Sequence, residues 1–285
     1  MTVDIALPVL NEEQALETSI RAVMAELSSR CPYDWSLSIV DNGSTDSSWR
    51  IASSIALAEP NVRALRLGEP GRGGALRAAW TSSDADILAY MDIDLSTDLE
   101  ALGPLLDPIA AGTADISIGS RLAPASQVTR SAQREVISHL YNLIARTMLR
   151  YSVRDAQCGF KAVSRHVAQT IVPAVQDNSW FFDTELLVLG SRRGLRINEV
   201  PVRWIEDDDS RVRIVNTAID DLRGIWRLTW NAESDGSAAS GKGQDPARVL
   251  ETVSMASRFT AASGSPPASA PADPEPDQRG SDRRS

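Results

Sequence analysis

Two aspartates separated by one residue, Asp92 and Asp94, follow the apolar run Ile87–Met91. Two carboxylates this close repel each other unless a cation lies between them. Mg²⁺ and Mn²⁺ prefer oxygen ligands, and they commonly use one or two carboxylates together with phosphate oxygens of a substrate. The position of the pair directly after a predicted strand therefore indicates a Mg²⁺ or Mn²⁺ site.

A glycine-rich stretch, Gly71-Arg72-Gly73-Gly74, precedes a predicted helix. Glycines let the backbone approach a phosphate closely, and the N-terminus of a helix favours anions. The stretch matches neither the dinucleotide fingerprint nor a Walker loop. Two interpretations stay open: Arg72 lies along a diphosphate, or the glycines form a turn with a solvated arginine.

The segment 121–165 is basic although the whole chain is acidic, with eight Arg or Lys residues against two acidic ones. Arginine recognises phosphate with planar, paired hydrogen bonds, and a basic face also attracts anionic lipid headgroups. Arg134 and Ser138 are four residues apart on a predicted helix, so both can contact one group. A solvated helix face is the alternative interpretation, which we expect for Arg146 and Arg150.

Short apolar runs alternate with amphipathic stretches in the first 120 residues, which predicts βαβ units and a mostly parallel sheet with helices on both faces. The predicted strands are 3–10, 36–41, 62–67, 86–91 and 115–120, and the predicted helices are 12–28, 46–58, 73–81 and 98–110. The order then changes to an irregular segment 121–130, a helix 131–150, a loop 155–161, a helix 183–193, a strand 196–203 and a last helix 214–230.

Polar residues follow three of these strands, at 8–12, 41–46 and 92–94. Ligands of open α/β sheets bind outside the carboxyl ends of the strands. We therefore expect all three segments to line one crevice. Taken alone, the first two segments are also ordinary turn and helix-cap sequences.

The composition excludes several classes of protein. A chain of 285 residues with 42% hydrophobic and 24% charged residues can bury a core, and a net charge of −9 argues against non-specific binding of nucleic acid. Cys31 and Cys158 cannot form a disulfide framework and suggest reduced, cytoplasmic thiols. The sequence shows neither a secretion signal nor an apolar run long enough to cross a bilayer, so we expect peripheral membrane contact.

Residues 231–285 differ in composition from the rest of the chain. In this segment 31 of 55 residues are Ala, Gly, Ser or Pro, and Phe259 is the single aromatic residue. Such a segment cannot offset the entropy lost on ordering. We therefore predict a domain 1–230 and a disordered tail 231–285, in which apolar spacing allows one short helix near 246–259.

Taken together, these motifs resemble those of family 2 glycosyltransferases of GT-A fold. The resemblance covers roughly residues 3–228 and is carried by segments 8–12, 41–46, 92–98, 119–121 and 155–161. The sequences DAQCGFK at 155–161, FFDTELL at 181–187 and EVPVRW at 199–204 resemble, more narrowly, the branch that makes polyprenyl- or dolichyl-phosphate sugars. Similar bacterial enzymes carry a small membrane domain. The resemblance therefore implies a polyprenyl-phosphate acceptor and a small integral membrane protein as partner.

The resemblance also implies roles for single residues. The nucleotide-sugar donor would contact Pro8, Leu10, Glu12, Asp41, Arg72 and Ile93. The diphosphate and its metal would lie at Asp92 and Asp94, with Arg211 on a loop over the diphosphate as a further catalytic residue. The acceptor phosphate would be held by Arg121, Arg134 and Ser138. Asp155 and Gln157 would belong to a loop at the acceptor or the sugar.

Two positions depart from the family pattern. Relatives carry a glutamine two residues after the second aspartate, where this chain has Ser96, so a water would replace that metal contact or the contact is lost. Some mannosyl relatives carry an arginine six residues before the position of Arg211, where this chain has Ile205. Arg203 and Arg213 are candidate substitutes. The resemblance favours UDP-glucose or a related UDP-hexose over a guanosine donor.

The implied reaction is transfer of a hexose, with inversion, to a lipid monophosphate at the cytosolic face of the plasma membrane. Such a phosphate is already ionised at pH 7, so the reaction needs no general base. A family 2 enzyme with a soluble hydroxyl acceptor is one alternative; it needs a base, for which Asp155 is the candidate. A non-catalytic module that binds nucleotide sugar and recruits a membrane partner is another. A sugar-phosphate nucleotidyltransferase would need a glycine-rich loop after the first strand.

Overall fold

The computed structural model describes residues 1–129, 132–205, 214–231 and 248–255. Within these ranges the strands are β1 (Thr2–Val9), β2 (Asp34–Asp41), β3 (Val62–Leu67), β4 (Ile87–Met91), β5 (Ile116–Ser120), β6 (Gln127–Thr129), β7 (Phe160–Ser164), β8 (Ile197–Pro201), β9 (Arg203–Ile205) and β10 (Val249–Ser254). The helices are α1 (Leu16–Arg30), α2 (Ser48–Ala58), α3 (Arg72–Thr81), α4 (Leu102–Ala110), α5 (Ala132–Leu149), α6 (Arg165–Thr170), α7 (Phe182–Arg192) and α8 (Ile214–Asn231).

Eight of these strands form one mixed sheet in the order β10-β3-β2-β1-β4-β7-β5-β8. β1 pairs in parallel with both β2 and β4, whereas β7 lies antiparallel between β4 and β5. β6 and β9 form a separate parallel pair. Helices pack on both faces of the large sheet. The predicted α/β fold, a GT-A-like and mostly parallel sheet, is thereby confirmed.

The central strand β4 is apolar on both faces because helices cover both. Successive side chains of a strand point to opposite faces. Leu88 and Tyr90 join a core that includes α3 and α7, while Ala89 and Met91 join a core that includes α1, α2 and α4. All five residues of β4 are buried. The strand is therefore a rigid support for the residues that follow it, beginning with Asp92.

Strand β7 was not predicted, because residues 155–161 were expected to form a loop. Lys161 interrupts the apolar pattern of this segment, yet it lies in β7 opposite Tyr90 and is fully buried. The antiparallel pairing brings Gly159 to the end of β4, where its carbonyl oxygen accepts the Asp92 backbone N–H at 3.1 Å. The second half of the chain thus reaches the predicted metal site.

A strand also forms inside the predicted tail. Val249–Ser254 pair antiparallel with β3, so the short helix that the apolar spacing allowed near 246–259 does not form over these residues. Leu250 packs on Gly68, whose N–H donates to the carbonyl of Arg248 at 3.2 Å. The edge of β3 offers unpaired backbone groups, and β10 satisfies them. Residues 232–247 and 256–285 of the predicted tail lie outside the described residues.

Helices α5 and α8 pack against each other and expose apolar side chains. The side chains more than half exposed are Val136, Leu140 and Leu143 on α5 and Leu222, Trp226 and Trp230 on α8. The two tryptophan rings stack, with centroids 5.6 Å apart. Among the described residues, no helix is both long and apolar enough to span a bilayer.

Candidate active site

The loops after β1 and β2 are joined by hydrogen bonds. The Asn11 backbone N–H donates to Ser44 Oγ at 3.0 Å, and Asn11 Oδ1 accepts the Thr45 N–H at 2.8 Å. The Glu12 N–H donates to Ser48 Oγ at 2.8 Å. Asn11 has a φ of +56°, in the left-handed region that asparagine tolerates better than most residues. The two predicted strand-end segments therefore lie together, at one edge of the predicted crevice.

The predicted donor residues on these strands come together at this edge. Val9 and Asp41 are register partners, as are Pro8 and Val40. Asp41 is fully buried; its Oδ1 accepts the Ser44 N–H at 3.3 Å, and its Oδ2 lies 3.5 Å from Arg66 Nε. Leu10, by contrast, is exposed. The crevice thus combines an exposed apolar side chain with a buried carboxylate.

The two aspartates of the predicted metal site lie at the carboxyl end of β4, next to β1. The Asp92 side chain is 41% exposed, and Asp94 is exposed. Asp94 Oδ1 accepts the Ser96 N–H at 3.0 Å, and Leu95 between them has a φ of +53°. Ile93 is buried and anchors the segment. Both carboxylates are therefore accessible to solvent at the carboxyl end of β4, and a hydrogen-bonded turn carries Asp94.

Arg72 lies beside this pair, and it is buried rather than solvated. Its Nε and Nη2 lie 3.2 and 2.7 Å from Asp92 Oδ1, and its Nη1 lies 2.6 Å from Asp183 Oδ2. The guanidinium also lies between the rings of Tyr90 and Trp180, 5.0 and 4.9 Å from their centroids. The solvated-arginine interpretation is therefore wrong, and contact of Arg72 with a diphosphate stays a prediction.

Asp183 continues this network below the surface. Lys161 Nζ lies 3.1 Å from Asp183 Oδ1, and the Tyr90 hydroxyl donates to the same oxygen. Burial alone would raise the pKa of Asp183, but Lys161 and Arg72 hold that pKa below its usual value. Burial raises the pKa of Tyr90 well above its usual value. At neutral pH the network therefore contains an ionised Asp183 and a neutral Tyr90.

The glycines around Arg72 have a packing reason. A Cβ at Gly71 would lie 2.7 Å from the carbonyl oxygen of Asn178, and a Cβ at Gly73 would lie 2.5 Å from Phe182 Cβ. The Gly74 N–H donates to the same Asn178 oxygen at 3.0 Å. Close approach of α3 to the segment before α7 thus accounts for glycine at these positions without a phosphate.

A second buried pair, Arg121 and Asp155, lies where the sequence predicts the acceptor phosphate. Arg121 Nε and Nη2 donate to the two oxygens of Asp155 at 2.8 and 2.9 Å, and its guanidinium lies 5.5 Å from the ring centroid of Trp204. Burial would raise the pKa of the fully buried Asp155, but Arg121 lowers it below the usual range. Asp155 is therefore an ionised partner of Arg121.

The loop that carries Asp155 is tied to both long helices. The Ala156 N–H donates to Asn142 Oδ1 on α5 at 3.0 Å, and Gln157 Nε2 donates to Asp221 Oδ2 on α8 at 2.7 Å. Ser138 lies one turn before Asn142, is half-buried, and accepts the Asn142 amide with its carbonyl oxygen at 2.9 Å. The loop and the predicted acceptor helix therefore form one unit.

Several predicted residues fall outside the described part of the chain. Arg211 and Arg213 belong to the undescribed segment 206–213, and the side chain of Arg134 is also undescribed. Arg203 is exposed, and its Nη1 lies 3.9 Å from Asp98 Oδ2. The roles given to Arg211, Arg134 and the substitute arginines therefore stay predictions.

Residues 4–172, more than half of the chain, match the sequence profile of glycosyl transferase family 2. The chain belongs to this family. A relative, glycosyltransferase AglD of Haloferax volcanii, is 36% identical over 233 residues, which cover 80% of this chain and 37% of that protein. The dolichyl-phosphate beta-glucosyltransferase of Drosophila melanogaster is 31% identical, with 74% of this chain and 69% of that protein covered. The chain thus spans little more than a third of AglD.

A solved structure supports the fold. Glucosyl-3-phosphoglycerate synthase from Mycobacterium tuberculosis, in complex with Mn²⁺, UDP-glucose and phosphoglyceric acid, superposes with a TM-score of 0.58 at 19% identity, covering 90% of this chain and 91% of that chain. At this identity the likeness concerns the fold alone. Family 2 membership and the GT-A-like fold are confirmed, and the named relatives are consistent with the polyprenyl-phosphate branch.

The residues present fit a divalent metal ion that takes some of its ligands from the protein and the others from a substrate. Two carboxylates, Asp92 and Asp94, are accessible at the crevice, and the described residues contain no group of three or more His, Cys, Asp or Glu side chains that could hold a metal alone. Mg²⁺ and Mn²⁺ sites in phosphate chemistry commonly have such an incomplete protein ligand set. The donor set therefore suits an ion that a diphosphate completes.

Tyr90, Lys161 and Asp183, which support Arg72 and through it Asp92, are not among the predicted site residues. In the sequence, Tyr90 belongs to a predicted apolar strand, and Lys161 and Asp183 lie within segments that carry the family resemblance. A signal was available: a lysine and an aspartate inside otherwise apolar segments are almost never buried without a partner of opposite charge. Pairing Lys161 with Asp183, however, required the antiparallel position of β7.

Proposed function

We propose that this protein is an inverting hexosyltransferase that moves a hexose from a nucleotide sugar, a UDP-hexose, to a polyprenyl phosphate. The observation that carries the choice of acceptor is the pairing of Asp155 with Arg121. A hydroxyl acceptor needs a general base, and a carboxylate held by paired hydrogen bonds at a lowered pKa is a weak base. A lipid monophosphate, whose second pKa is near 6, needs none.

The donor side rests on the crevice between β1, β2 and β4. Pro8, Leu10, Glu12 and Asp41 would contact the nucleoside, and Ile93 would support it from below. The Drosophila relative is named a glucosyltransferase, and the solved neighbour was crystallised with UDP-glucose. Both favour UDP-glucose as the first donor to test.

Asp92 and Asp94 would hold a Mg²⁺ or Mn²⁺ ion, which when bound would stabilise the negative charge on the departing nucleoside diphosphate. The solved neighbour contains Mn²⁺. Arg211 would add a positive charge from the loop over the donor. These groups together lower the barrier by electrostatic stabilisation of the leaving group.

On the acceptor side, Arg121 would orient the lipid phosphate together with Arg134 and Ser138. Asp155 would fix the position of Arg121, and Gln157 would fix the loop to α8. The phosphate oxygen attacks the anomeric carbon in line with the bond to the diphosphate, which inverts that centre. An α-linked donor would thus give a β-linked lipid-phosphate sugar. Positioning supplies the remaining rate enhancement.

The exposed apolar faces of α5 and α8 support a peripheral membrane location. Tryptophan is enriched at the interface between lipid and water, and amphipathic helices lie in that interface. Trp226 and Trp230 are exposed on the same helix whose Asp221 binds Gln157 of the acceptor loop. We propose that the domain formed by residues 1–230 binds peripherally to the cytosolic face of the plasma membrane. A small integral membrane partner is a prediction of the sequence alone.

A transfer assay tests the proposal. The protein is incubated with Mn²⁺ and labelled UDP-glucose, other UDP-hexoses or GDP-mannose, together with polyprenyl phosphate in detergent micelles, 3-phosphoglycerate or free sugars. We expect label from a UDP-hexose in the lipid fraction. Label only in soluble products would identify the hydroxyl-acceptor alternative. Donor binding without any transferred product would identify the non-catalytic module.

A further inference from the structure

Asp92 is held from two sides, by Arg72 and by Gly159. Two nitrogens of Arg72 lie against its Oδ1, and the Cα of Gly159 lies so close to its Oδ2 that a Cβ there would overlap that oxygen. The Asp92 side chain is nevertheless 41% exposed, so the carboxylate stays accessible to solvent. Its orientation is therefore set by neighbours and not by its own side-chain rotation.

Arg72 is in turn fixed by groups that lie away from the crevice. Its third nitrogen, Nη1, contacts Asp183, and Asp183 is tied to Lys161 and Tyr90. The four charged side chains alternate in sign from Asp92 to Lys161, so the chain of charges is neutral overall. An arginine with a planar fork of donors suits such a bridge, whereas lysine offers a single point charge.

Attachment of α3 to α7 does not explain this arrangement. Gly73 packs α3 against Phe182 of α7, and Arg77 joins α3 to the segment before α7, since its Nη2 donates to the carbonyls of Val175 and Asp177 at 2.6 and 3.1 Å. Arg72 instead directs two of its three contacting nitrogens at Asp92. The paired donors of the Arg72 guanidinium therefore orient the Asp92 carboxylate.

We propose that Arg72 and Asp183 are positioning residues for Asp92. They present its carboxylate to the metal and diphosphate in one orientation, with part of its charge offset by the Arg72 guanidinium. This inference rests on the proposed function, since it assumes that Asp92 contacts a metal-bound nucleotide. Substitution of such supporting residues typically weakens metal affinity or activity about 10–100-fold.

A matched pair of variants on α7 tests the role of Asp183. Asp183 and Glu185 are both buried carboxylates in the first turn of α7, and each contacts an arginine, Glu185 through Oε2 at 2.7 Å from Arg227 Nη2. We expect Asp183→Asn to raise the Kd of Mn²⁺, measured by electron paramagnetic resonance at saturating UDP, about 10-fold. We expect Glu185→Gln to lower the melting temperature as much as Asp183→Asn does, but to leave the Kd of Mn²⁺ near the wild-type value.

A second matched pair lies on α3, one and a half turns apart. Arg72→Lys keeps the positive charge but loses the planar pair of donors, so we expect it to raise the Kd of Mn²⁺ as Asp183→Asn does. Arg77→Lys should leave this Kd unchanged. Equal Kd values for Asp183→Asn and Glu185→Gln, or wild-type binding by Arg72→Lys, would overturn the positioning role. Failure of the wild-type protein to bind Mn²⁺ with UDP would instead overturn the proposed function.

Discussion

Arg121 binds Asp155 through three hydrogen bonds: its backbone N–H and Nε both donate to Oδ2, and its Nη2 donates to Oδ1. The backbone bond fixes the start of the segment after β5, and the side-chain bonds fix the guanidinium. Asp155 is thus a support for Arg121 in the folded protein. This relationship separates the phosphate-acceptor proposal from a mechanism that uses Asp155 as a base.

Replacing Asp155 by asparagine should reduce transfer without removing its pH dependence. We expect kcat/KM to fall because Arg121 loses its partner, and still to rise with pH through about 6, where the acceptor phosphate ionises. Rates measured from pH 5 to 8 check this. Asp115→Asn is the control, since Asp115 accepts the same three hydrogen bonds from Arg196 at the opposite, amino end of β5. Loss of the pH dependence in Asp155→Asn alone would show that Asp155 is the base.

Asp155 should also make the free energy of unfolding depend on pH in the acidic range. The pKa of Asp155 is lower in the folded protein than its usual value because Arg121 outweighs the effect of burial. Its contribution to the free energy of unfolding is therefore present above about pH 4, the unfolded value, and is lost as the pH falls through the folded pKa. Urea unfolding between pH 7 and 3 should show a shallower loss for Asp155→Asn than for wild type. Parallel curves would contradict this.

Asp94→Asn should abolish most transfer while leaving the fold intact. Loss of a metal carboxylate costs several kcal/mol of transition-state stabilisation, which corresponds to a decrease in kcat/KM of about 10²–10³-fold. Asp94 is exposed, so the melting temperature should stay near wild type. Asp86→Asn, just before the first residue of β4, is the matched control. Wild-type activity that persists in EDTA would contradict a metal role for Asp94.

The sequence was sufficient to predict which strand ends lie together because that part of the fold depends on local patterns. Alternation of strands and helices determines that β1, β2 and β4 end at one edge of the sheet, and the rule for parallel sheets then brings Asp41 and Asp92 to that edge. Neither step needs contacts between distant segments. Strand ends are accordingly where the predictions and the structure agree best.

The support beneath Asp92 could not be predicted because it depends on contacts between distant parts of the chain. Arg72 and Asp183 are 111 residues apart, and Lys161 reaches them only because β7 enters the sheet antiparallel. A lysine also interrupts the apolar alternation from which a strand is predicted, so a segment that contains a buried lysine is predicted as a loop. Similarly, β10 forms because β3 has an open edge, a property of the assembled sheet and not of residues 249–254 themselves.

Gly73→Ala should destabilise the protein through a clash. The new Cβ would lie 2.5 Å from Phe182 Cβ, and overpacking of this kind costs about 1–3 kcal/mol. Gly103→Ala on α4 is the control: no atom lies within 4 Å of the added Cβ, so the higher helix propensity of alanine should stabilise the protein by up to about 1 kcal/mol. Urea unfolding measures both changes. Equal signs for the two variants would contradict the packing explanation.

Removal of β10 should weaken the sheet at the β3 edge. A chain ending at residue 247 loses the pairing of Val249–Ser254 with β3 and the packing of Leu250 on Gly68. We expect the free energy of unfolding to fall by about 1–3 kcal/mol, given the usual contribution of cross-strand pairs, and self-association to increase because β3 becomes an exposed edge. A chain ending at residue 255 retains the strand and should match the full-length protein in calorimetry and size-exclusion chromatography. Identical melting temperatures for both truncations would show that β10 contributes nothing to the stability of the sheet.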